Sequence, residues 1–147
     1  MTSLKVKIVN SGEQELPAYE TPGAAGMDVR AAIKEPITLK PLQRILIPTG
    51  LSVQLPQGYQ LEVRPRSGLA LKYGITVLNT PGTVDADYRG EIKVILINLS
   101  DTDFVINPGE RICQFVVTTY TRVEWETVTH LDHTVRGDGS FGHTGLN

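Results

Sequence analysis

The run from Asn79 to Gly90 carries the residues best suited to acid–base or metal chemistry. Asp85 and Asp87 stand close together in it, and their carboxylates could act as a general base or as metal ligands. Asn79 and Pro81-Gly82 predict a tight hairpin whose backbone groups could bond the edge of a base. A solvated acidic turn accounts for the same residues, so this run alone leaves both interpretations open.

A second segment, Arg64-Pro65-Arg66-Ser67-Gly68-Leu69, is suited to holding an anion. Ser67 and Gly68 stand where a short helix is predicted to begin, and the backbone N–H groups and dipole of a helix start favour negative charge. Arg66 would add charge-assisted donors. A helix capped by serine beside a surface arginine is an equally simple interpretation.

Two further segments could bind phosphate groups. Gln114 interrupts an apolar run; facing inward it would need a partner, since burying it unpaired costs about 1–3 kcal/mol, whereas on an edge strand it would face water. The stretch Thr134–Asn147 contains four glycines, a cation at Arg136 and a stacking ring at Phe141. Such a tail cannot bury enough surface to order itself, so we expect it to be mobile unless a ligand or a neighbouring subunit holds it.

Short β-rich runs separated by Pro and Gly turn signals must position these segments. The predicted strands are Leu4–Val9, Arg44–Ile47, Leu51–Leu55, Tyr59–Val63, Glu91–Leu99, Phe104–Ile106 and Ile112–Thr118. Ser67–Tyr73 is the predicted helix. The pattern is typical of an all-β sandwich or barrel, and we predict one domain over residues 1–133 followed by a glycine-rich arm over residues 134–147.

The composition fits a single intracellular domain. The chain has 147 residues, 40% of them apolar, and a net charge of −2, which argues against a nucleic-acid partner. One cysteine, Cys113, cannot form an internal disulfide, and no apolar run approaches the length of a membrane span. We therefore expect no membrane partner and a cytoplasmic location, with the nucleus as a further compartment in a eukaryote.

Several tempting motifs lack their required context. Gly137–Gly142 matches the dinucleotide fingerprint but leaves too few residues for the helix that must follow it. The Arg136-Gly137-Asp138 tripeptide and the Asn98-Leu99-Ser100 glycosylation triplet both require an extracellular protein, and no signal segment is present. Three irregularly spaced histidines, His130, His133 and His143, do not predict a zinc site.

Taken together, the segments closely resemble the five ordered motifs of the trimeric dUTPase family. The resemblance covers residues 25–145, and its motifs are Ala25–Ala31, Pro65–Ala70, Asn79–Gly90, Gly109–Gln114 and Arg136–Gly145. It implies a jelly-roll-like β fold with one short helix and a flexible arm. It also implies a homotrimer whose three active sites each draw motifs from three subunits, the arm closing over another subunit's nucleotide.

The resemblance further implies that the chain hydrolyses dUTP to dUMP and pyrophosphate, which limits uracil incorporation into DNA and supplies dUMP for thymidylate synthesis. Asp85 would deprotonate the water that attacks the α-phosphorus. Mg²⁺ would be held by phosphates and waters and by no protein ligand directly, with Asp28 supporting its water shell or the scaffold of the site. The implied nucleotide-binding residues are Arg66, Ser67, Gly68, Asn79, Gly82, Val84, Tyr88, Gln114, Arg136, Phe141, Gly142, His143 and Thr144.

Within that set, the resemblance gives each residue a part. Tyr88 would pack beneath the deoxyribose, where a 2′-hydroxyl would clash, and Asn79 with the backbone near Gly82 would read the uracil edge. Ser67, Gly68 and Gln114 would bind phosphate oxygens, with Arg66 supporting the phosphate site or a subunit contact. Arg136 would reach the γ-phosphate, Phe141 would stack on the uracil, and Gly142, His143 and Thr144 would add contacts from the arm.

Two positions depart from the family pattern, and two rival functions remain. Ser140 replaces a glycine and His143 often a serine, which puts the arm's detailed contacts in doubt. A dCTP deaminase shares the fold and several motifs, but its catalytic glutamate corresponds here to Ile95, which cannot transfer a proton. A non-catalytic binding module is the other rival; such a module has no need of Asp85.

Overall fold

The computed structural model describes residues 3–145, and these residues form eleven β-strands and one α-helix. The elements in chain order are β1 (Lys7–Asn10), β2 (Met27–Arg30), β3 (Ile37–Leu39), β4 (Arg44–Pro48), β5 (Leu51–Gln54), β6 (Tyr59–Arg64), α1 (Ser67–Tyr73), β7 (Ile75–Val77), β8 (Gly82–Val84), β9 (Lys93–Asn98), β10 (Phe104–Ile106) and β11 (Arg111–Thr119). The predicted all-β fold with one short helix is confirmed.

The strands of the described residues pair in four antiparallel sheets. The largest has the order β2-β11-β6-β8, and a three-stranded sheet has the order β4-β9-β7. Two-stranded sheets join β1 to β5 and β10 to β3. Within residues 3–145 the sheets do not close into one continuous barrel, so the expected jelly-roll-like arrangement is an open one.

Branched and aromatic side chains from all four sheets meet in one core. Its fully buried members include Phe115, Leu39, Ile47, Leu96 and Ile106. Each such side chain stabilises the fold by about 1.5–3 kcal/mol relative to an exposed position. On β9 the buried residues alternate with partly exposed ones, as expected for a strand that covers the core with one face.

The glycosylation triplet at Asn98 is part of this buried structure. The Asn98 side chain is 0% exposed, and its Nδ2 donates to the carbonyl oxygens of Leu39 (2.9 Å) and Thr102 (2.8 Å). Its Oδ1 accepts from the backbone N–H of Ser100 (2.9 Å). These bonds satisfy a buried amide and leave it inaccessible to modification, in agreement with our rejection of that motif.

The predicted helix is confirmed at both ends, and the helix stops where the backbone of Gly74 turns left-handed at φ 65°. Strand β10 also has its predicted bounds, and the other predicted strands differ by one to three residues at their ends. The strands missed in the sequence are β2, β3, β7 and β8, each of three or four residues. A strand this short shows too little alternation to be recognised from periodicity.

The prediction of a tight hairpin at Asn79–Gly82 is wrong in its topology. Strand β7 pairs with β9, whereas β8 pairs with β6 in a different sheet. The intervening turn, which includes a cis Thr80–Pro81 peptide bond, therefore carries the chain from one sheet to the other. A Cβ at Gly82 would lie 3.2 Å from the Cβ of Val63 and 3.4 Å from Nδ2 of Asn79, so glycine permits the close packing of this crossing.

After β11 the chain leaves the core. Tyr120 and the residues that follow it up to 138 are exposed and contain no strand or helix; Trp125, for example, is 88% exposed. Within residues 3–145 there is no helix long and apolar enough to cross a membrane. The exposed segment thus begins at Tyr120, before the predicted boundary between the domain and the arm at residues 133 and 134. That boundary remains a prediction.

Candidate active-site cleft

A cleft of about 480 Å³ opens between β8, at the edge of the largest sheet, and the sheet β4-β9-β7. Five residues that the resemblance assigned to the active site line it together: Asn79, Gly82, Val84, Asp85 and Tyr88. Its floor is apolar and includes Val63, Val77 and Val94. The structure therefore brings one predicted carboxylate, one aromatic ring and a backbone turn onto the same concave surface.

Asp85 and Tyr88 lie on the segment Asp85–Ile92 that connects β8 to β9. The N–H of Tyr88 donates to the carbonyl of Asp85 (3.2 Å), which closes a tight turn between the two residues. The Asp85 side chain is exposed at the cleft, so its carboxylate can meet a water or a ligand there. Asp87 does not line this cleft; it borders a neighbouring cavity that Asp85 also reaches.

A second group surrounds Asp28 and consists of two predicted residues, Arg66 and Gln114, together with Arg111, which the sequence did not single out. The guanidinium of Arg66 donates to both carboxylate oxygens (3.1 and 3.3 Å), Arg111 donates to Oδ2 (3.3 Å), and Nε2 of Gln114 donates to Oδ1 (3.1 Å). We call Asp28, Arg66, Arg111 and Gln114 the Asp28 cluster. The Asp28 side chain is 10% exposed, so these charge-assisted bonds compensate a largely desolvated carboxylate.

The Asp28 cluster explains how Gln114 can interrupt an apolar run. Gln114 is half-buried and finds the partner that an inward-facing glutamine needs. Gly26 lets the amide approach, because a Cβ there would lie 3.2 Å from Oε1 of Gln114. With three donors already on its carboxylate, Asp28 fits the scaffold role better than that of supporting a metal's water shell.

The start of the helix leaves Ser67 and Gly68 exposed. Arg66 stands at the N-cap position in extended conformation, and no side chain caps the helix there, so the serine-cap interpretation is wrong. The first backbone bond of the helix runs from the N–H of Ala70 to the carbonyl of Arg66 (3.0 Å). The N–H groups that precede Ala70 in the helix therefore have no acceptor within the helix, as an anion site requires.

The cleft and the Asp28 cluster lie on opposite faces of the sheet β2-β11-β6-β8. Val63 on β6 is buried and lines the cleft, whereas the next residue, Arg64, is exposed. Gln114 pairs in register with Arg64 on one side and with Asp28 on the other. Because successive strand residues point to opposite faces, the sheet itself separates the two groups within one chain.

The predicted arm residues contact neither group. Nε of Arg136 donates to the carbonyl of Gly139 (2.9 Å), and the Phe141 ring is fully exposed. His143 packs against Gly139, and Gly142 and Thr144 are exposed. Over residues 134–145, all hydrogen bonds in the described structure stay within the arm.

Three residues of these sites were not singled out as site residues in the sequence: Arg111 in the Asp28 cluster and Glu91 and Lys93 in the cleft. Lys93 begins β9, and Glu91, which the sequence placed in that strand, lies just before it. Ile95, at the position of the deaminase glutamate, gives the cleft an apolar wall. No local signal marked Glu91, because its hydrogen-bond donor is the N–H of Gly50, 41 residues away in the sequence.

The described residues favour neither a metal ion bound by protein ligands nor a nucleophilic thiol. Within residues 3–145, no cluster of three or more His, Cys, Asp or Glu side chains could hold a metal ion. Burial raises the pKa of the Cys113 thiol well above its ordinary value, and the Asp28 carboxylate adds to the rise. Cys113 is therefore a protonated structural thiol at neutral pH, and Asp85 remains the candidate catalytic group of the cleft.

Comparison with known sequences gives one consistent result. Residues 12–145 match the family model described as dUTPase. The deoxyuridine 5'-triphosphate nucleotidohydrolase of Fusobacterium nucleatum subsp. nucleatum is 60% identical over 145 residues, which are 99% of this chain and 99% of the relative.

Solved structures share the fold at lower identity. A Staphylococcus bacteriophage 80alpha dUTPase with dUPNHPP superimposes with a TM-score of 0.87 at 22% identity, covering 98% of this chain and 100% of that one. A mutant dUTPase from phage phi11 of S. aureus, described with a coordinated structural Mg(II) ion, has a TM-score of 0.79 at 20% identity and covers 88% of this chain and 100% of that one.

The Asp28 cluster should contribute measurably to stability. Asp28→Ala removes the shared acceptor of three donors, and we expect the free energy of unfolding to fall by about 1.5–3 kcal/mol, as for bonds to a charged group. Urea unfolding at one fixed protein concentration measures the change. The control is Asp101→Ala, at an exposed turn carboxylate, which should shift the value by less than about 0.5 kcal/mol. Equal shifts in the two variants would contradict a structural role for the cluster.

Proposed function

The chain belongs to the dUTPase family, and from that membership we propose that it hydrolyses dUTP to dUMP and pyrophosphate with the help of Mg²⁺. The observation that carries the proposal is the cleft, where Asp85 and Tyr88 meet the Asn79–Gly82 turn. Three contacts for a deoxynucleotide, to base, sugar and reacting phosphate, thus have candidate groups on one surface.

Asp85 is the proposed general base. Its carboxylate is exposed at the cleft and belongs to neither an ion pair nor a side-chain hydrogen bond among the described residues, so it is free to take a proton from water. The activated water would attack the α-phosphorus and pyrophosphate would leave. A positioned base typically contributes about 10²–10⁴-fold to the rate.

Mg²⁺ fits a site whose ligands come from the substrate. No protein cage of three acidic or imidazole groups exists within residues 3–145, whereas Mg²⁺ commonly keeps several waters and binds substrate phosphates. Bound there, the ion would neutralise phosphate charge and align the anhydride. Ser67, Gly68 and the donors near them would hold phosphate oxygens.

The turn between β7 and β8 supplies the proposed recognition of uracil. Backbone groups around Gly82 have fixed positions because the glycine packs directly against Val63 and Asn79. A rigid backbone edge can match the donors and acceptors of uracil and leave those of cytosine unpaired. Close walls can also turn the extra methyl group of thymine into a clash.

A homotrimer would complete the site. One chain places the cleft and the Asp28 cluster on opposite sheet faces, and its arm reaches neither, so a nucleotide that uses all three needs more than one copy. Cyclic symmetry provides three identical sites from such shared parts. The exposed apolar side chains after β11, such as Val123, Trp125 and Leu131, are surface that a neighbouring copy would cover.

The proposed activity limits uracil incorporation into DNA and supplies dUMP for thymidylate synthesis. We propose that it operates in the cytoplasm, with the nucleus added in a eukaryotic cell. The buried, protonated thiol of the one cysteine is compatible with a reducing compartment.

A substrate panel tests the function directly. The purified protein is incubated with each common deoxynucleoside triphosphate and Mg²⁺, and pyrophosphate and ammonia are both assayed. Pyrophosphate from dUTP alone is the expected result. Ammonia from dCTP would favour a deaminase in spite of Ile95, and no turnover at all would favour a binding module.

Asp85→Asn separates catalysis from binding. The amide keeps the size of the side chain but cannot accept the proton, so we expect kcat for dUTP to fall by at least about 100-fold. Nucleotide affinity, measured by isothermal titration, should stay within about threefold. Asp87→Asn is the matched control, because Asp87 lies outside the cleft, and it should retain turnover. Near-normal kcat in Asp85→Asn would remove Asp85 from the mechanism.

Truncation after Val135 tests the arm. The described arm residues make no hydrogen bonds to the rest of the chain, so the shortened protein should stay folded and oligomeric by circular dichroism and light scattering. It should lose most dUTP hydrolysis, since Arg136 and Phe141 are removed.

Mixed oligomers then test whether sites are shared between copies. Equal amounts of the truncated chain and of Asp85→Asn are unfolded together and refolded. A shared site regains activity wherever one chain gives Asp85 and another gives the arm, roughly a quarter of sites at random assembly. If each site were built from one chain, the mixture would stay as inactive as its components.

Tyr88→Ala tests sugar recognition. Without the ring, the space beneath the sugar should admit a 2′-hydroxyl, and kcat/KM for UTP should rise relative to dUTP by about tenfold or more. Tyr19→Ala, at another half-exposed tyrosine away from the cleft, should leave the ratio unchanged. An unaltered ratio in Tyr88→Ala would show that the ring does not select the sugar.

A further inference from the structure

Glu91 lines the cleft, and its carboxylate forms no ion pair with a cation among the described residues. Its Oε1 accepts the backbone N–H of Gly50 (2.9 Å), which lies in the turn between β4 and β5. A carboxylate that accepts a backbone N–H forms one of the stronger hydrogen bonds in proteins. The side chain therefore ties the cleft segment Asp85–Ile92 to a turn 41 residues away in the sequence.

Glu91 also binds the Tyr88 ring, through its main-chain carbonyl. The Tyr88 hydroxyl donates to the main-chain carbonyl of Glu91 (2.9 Å). The ring lies across Gly90, where any Cβ would collide with the phenol group. Two features thus hold the ring in place: a glycine that makes room for it and a carbonyl that receives its hydroxyl.

The turn that receives the Glu91 carboxylate is itself well fixed. The carbonyl of Gly50 accepts the N–H of Ser11 (2.8 Å), and the left-handed backbone of Gly50 (φ 71°) packs against Gly12. Beside it, the buried Thr49 hydroxyl donates to the carbonyl of Ile92 (2.6 Å). Glu91 is therefore anchored to backbone that other bonds already hold.

We propose that Glu91 is a positioning residue for sugar selection: its carboxylate, bound to Gly50 N–H, fixes the carbonyl that orients the Tyr88 ring. The inference rests on the proposed function, in which that ring lies beneath the deoxyribose. A ring held at both Gly90 and Glu91 cannot move aside for a 2′-hydroxyl. The planar peptide that carries this carbonyl is also held by its Ile92 N–H, which donates to the carbonyl of Leu51 (2.8 Å), so loss of the carboxylate removes one of two restraints and lets the ring shift more easily.

The measured quantity is the ratio of kcat/KM for dUTP to that for UTP. Glu91→Ala should lower the ratio by about 3- to 10-fold, the usual effect of one hydrogen bond, chiefly through better use of UTP. The ratio is the readout because a loss of folded protein or of general activity lowers both kcat/KM values together and leaves their ratio unchanged. Glu91→Gln keeps an amide oxygen for the Gly50 N–H and should restore the ratio to within about twofold of the unaltered chain.

Two controls separate positioning from a general loss of stability. Gln43→Ala removes another side-chain acceptor of a turn N–H, that of Lys40 (3.0 Å), and neither residue lines the cleft; its ratio should not change. Glu91→Asp keeps the charge but is one methylene too short, and it should behave like Glu91→Ala. Should Glu91→Ala fail to fold by circular dichroism, Glu91→Asp decides the question.

A double-mutant cycle asks whether Glu91 acts through the hydroxyl. Tyr88→Phe keeps the ring and removes the bond, so it should lower the ratio by a similar factor. In that background, Glu91→Ala should have no further effect, because the two residues act as one unit. Additive effects, or an unchanged ratio in the folded Glu91 variants, would overturn the inference.

Measuring both nucleotides separates a failure of this inference from a failure of the proposed function. If the unaltered protein prefers dUTP and the Glu91 variants keep that preference, the inference alone is wrong. If the unaltered protein hydrolyses neither nucleotide, or both equally, the proposed function is wrong and the inference falls with it.

Discussion

Successive side chains on each strand of the sheet β2-β11-β6-β8 point to opposite faces, and this alternation limits which functional groups one chain can bring together. Val63 points into the core and the cleft, so Arg64, Gln114 and Asp28 must point to the opposite face. No change of rotamer can move a strand residue to the other face of its sheet. The phosphate-binding candidates and the proposed base are thus kept apart within a chain by the same geometry that builds its core.

This constraint gives the two faces different tasks. The Asp28 cluster neutralises a desolvated carboxylate and joins β2, β11 and the start of the helix, so the exposed Ser67 and Gly68 stand on a fixed base. On the cleft side, the segment Asp85–Ile92 has no regular structure and depends on bonds to β5 and to the turn before it. Rigid sheets thereby position short irregular segments that carry the polar groups, an arrangement common to many enzymes.

Features that depend on neighbouring residues were predicted correctly from the sequence, whereas the pairing of strands, which depends on distant residues, was not. The helix Ser67–Tyr73 and strand Phe104–Ile106 follow from propensity and turn signals, and the family resemblance pointed to Asp85 and Tyr88, two groups that do share a cleft. The hairpin was wrong because which strands pair is decided by distant partners, here β9 for β7 and β6 for β8.

Contacts between distant residues were also beyond the sequence. The bonds of Arg66 and Gln114 to Asp28 join residues 38 and 86 positions apart, and no local pattern predicts them. For Arg66, the sequence offered a phosphate contact or a supporting role, and the structure places it on a carboxylate. Glu91 was assigned to a strand because its apolar neighbours suggested one, and its bond to Gly50 depends on the fold bringing two turns together.

Trp125, the one tryptophan of the sequence, lies in the exposed stretch that follows β11, with 88% of its surface in contact with solvent. Indole emission shifts to shorter wavelength when the ring moves from water into an apolar environment. The chain thus carries a natural fluorophore at the point where it departs from its own core. The wavelength of its emission maximum will report whether that stretch is exposed to water or covered by other protein.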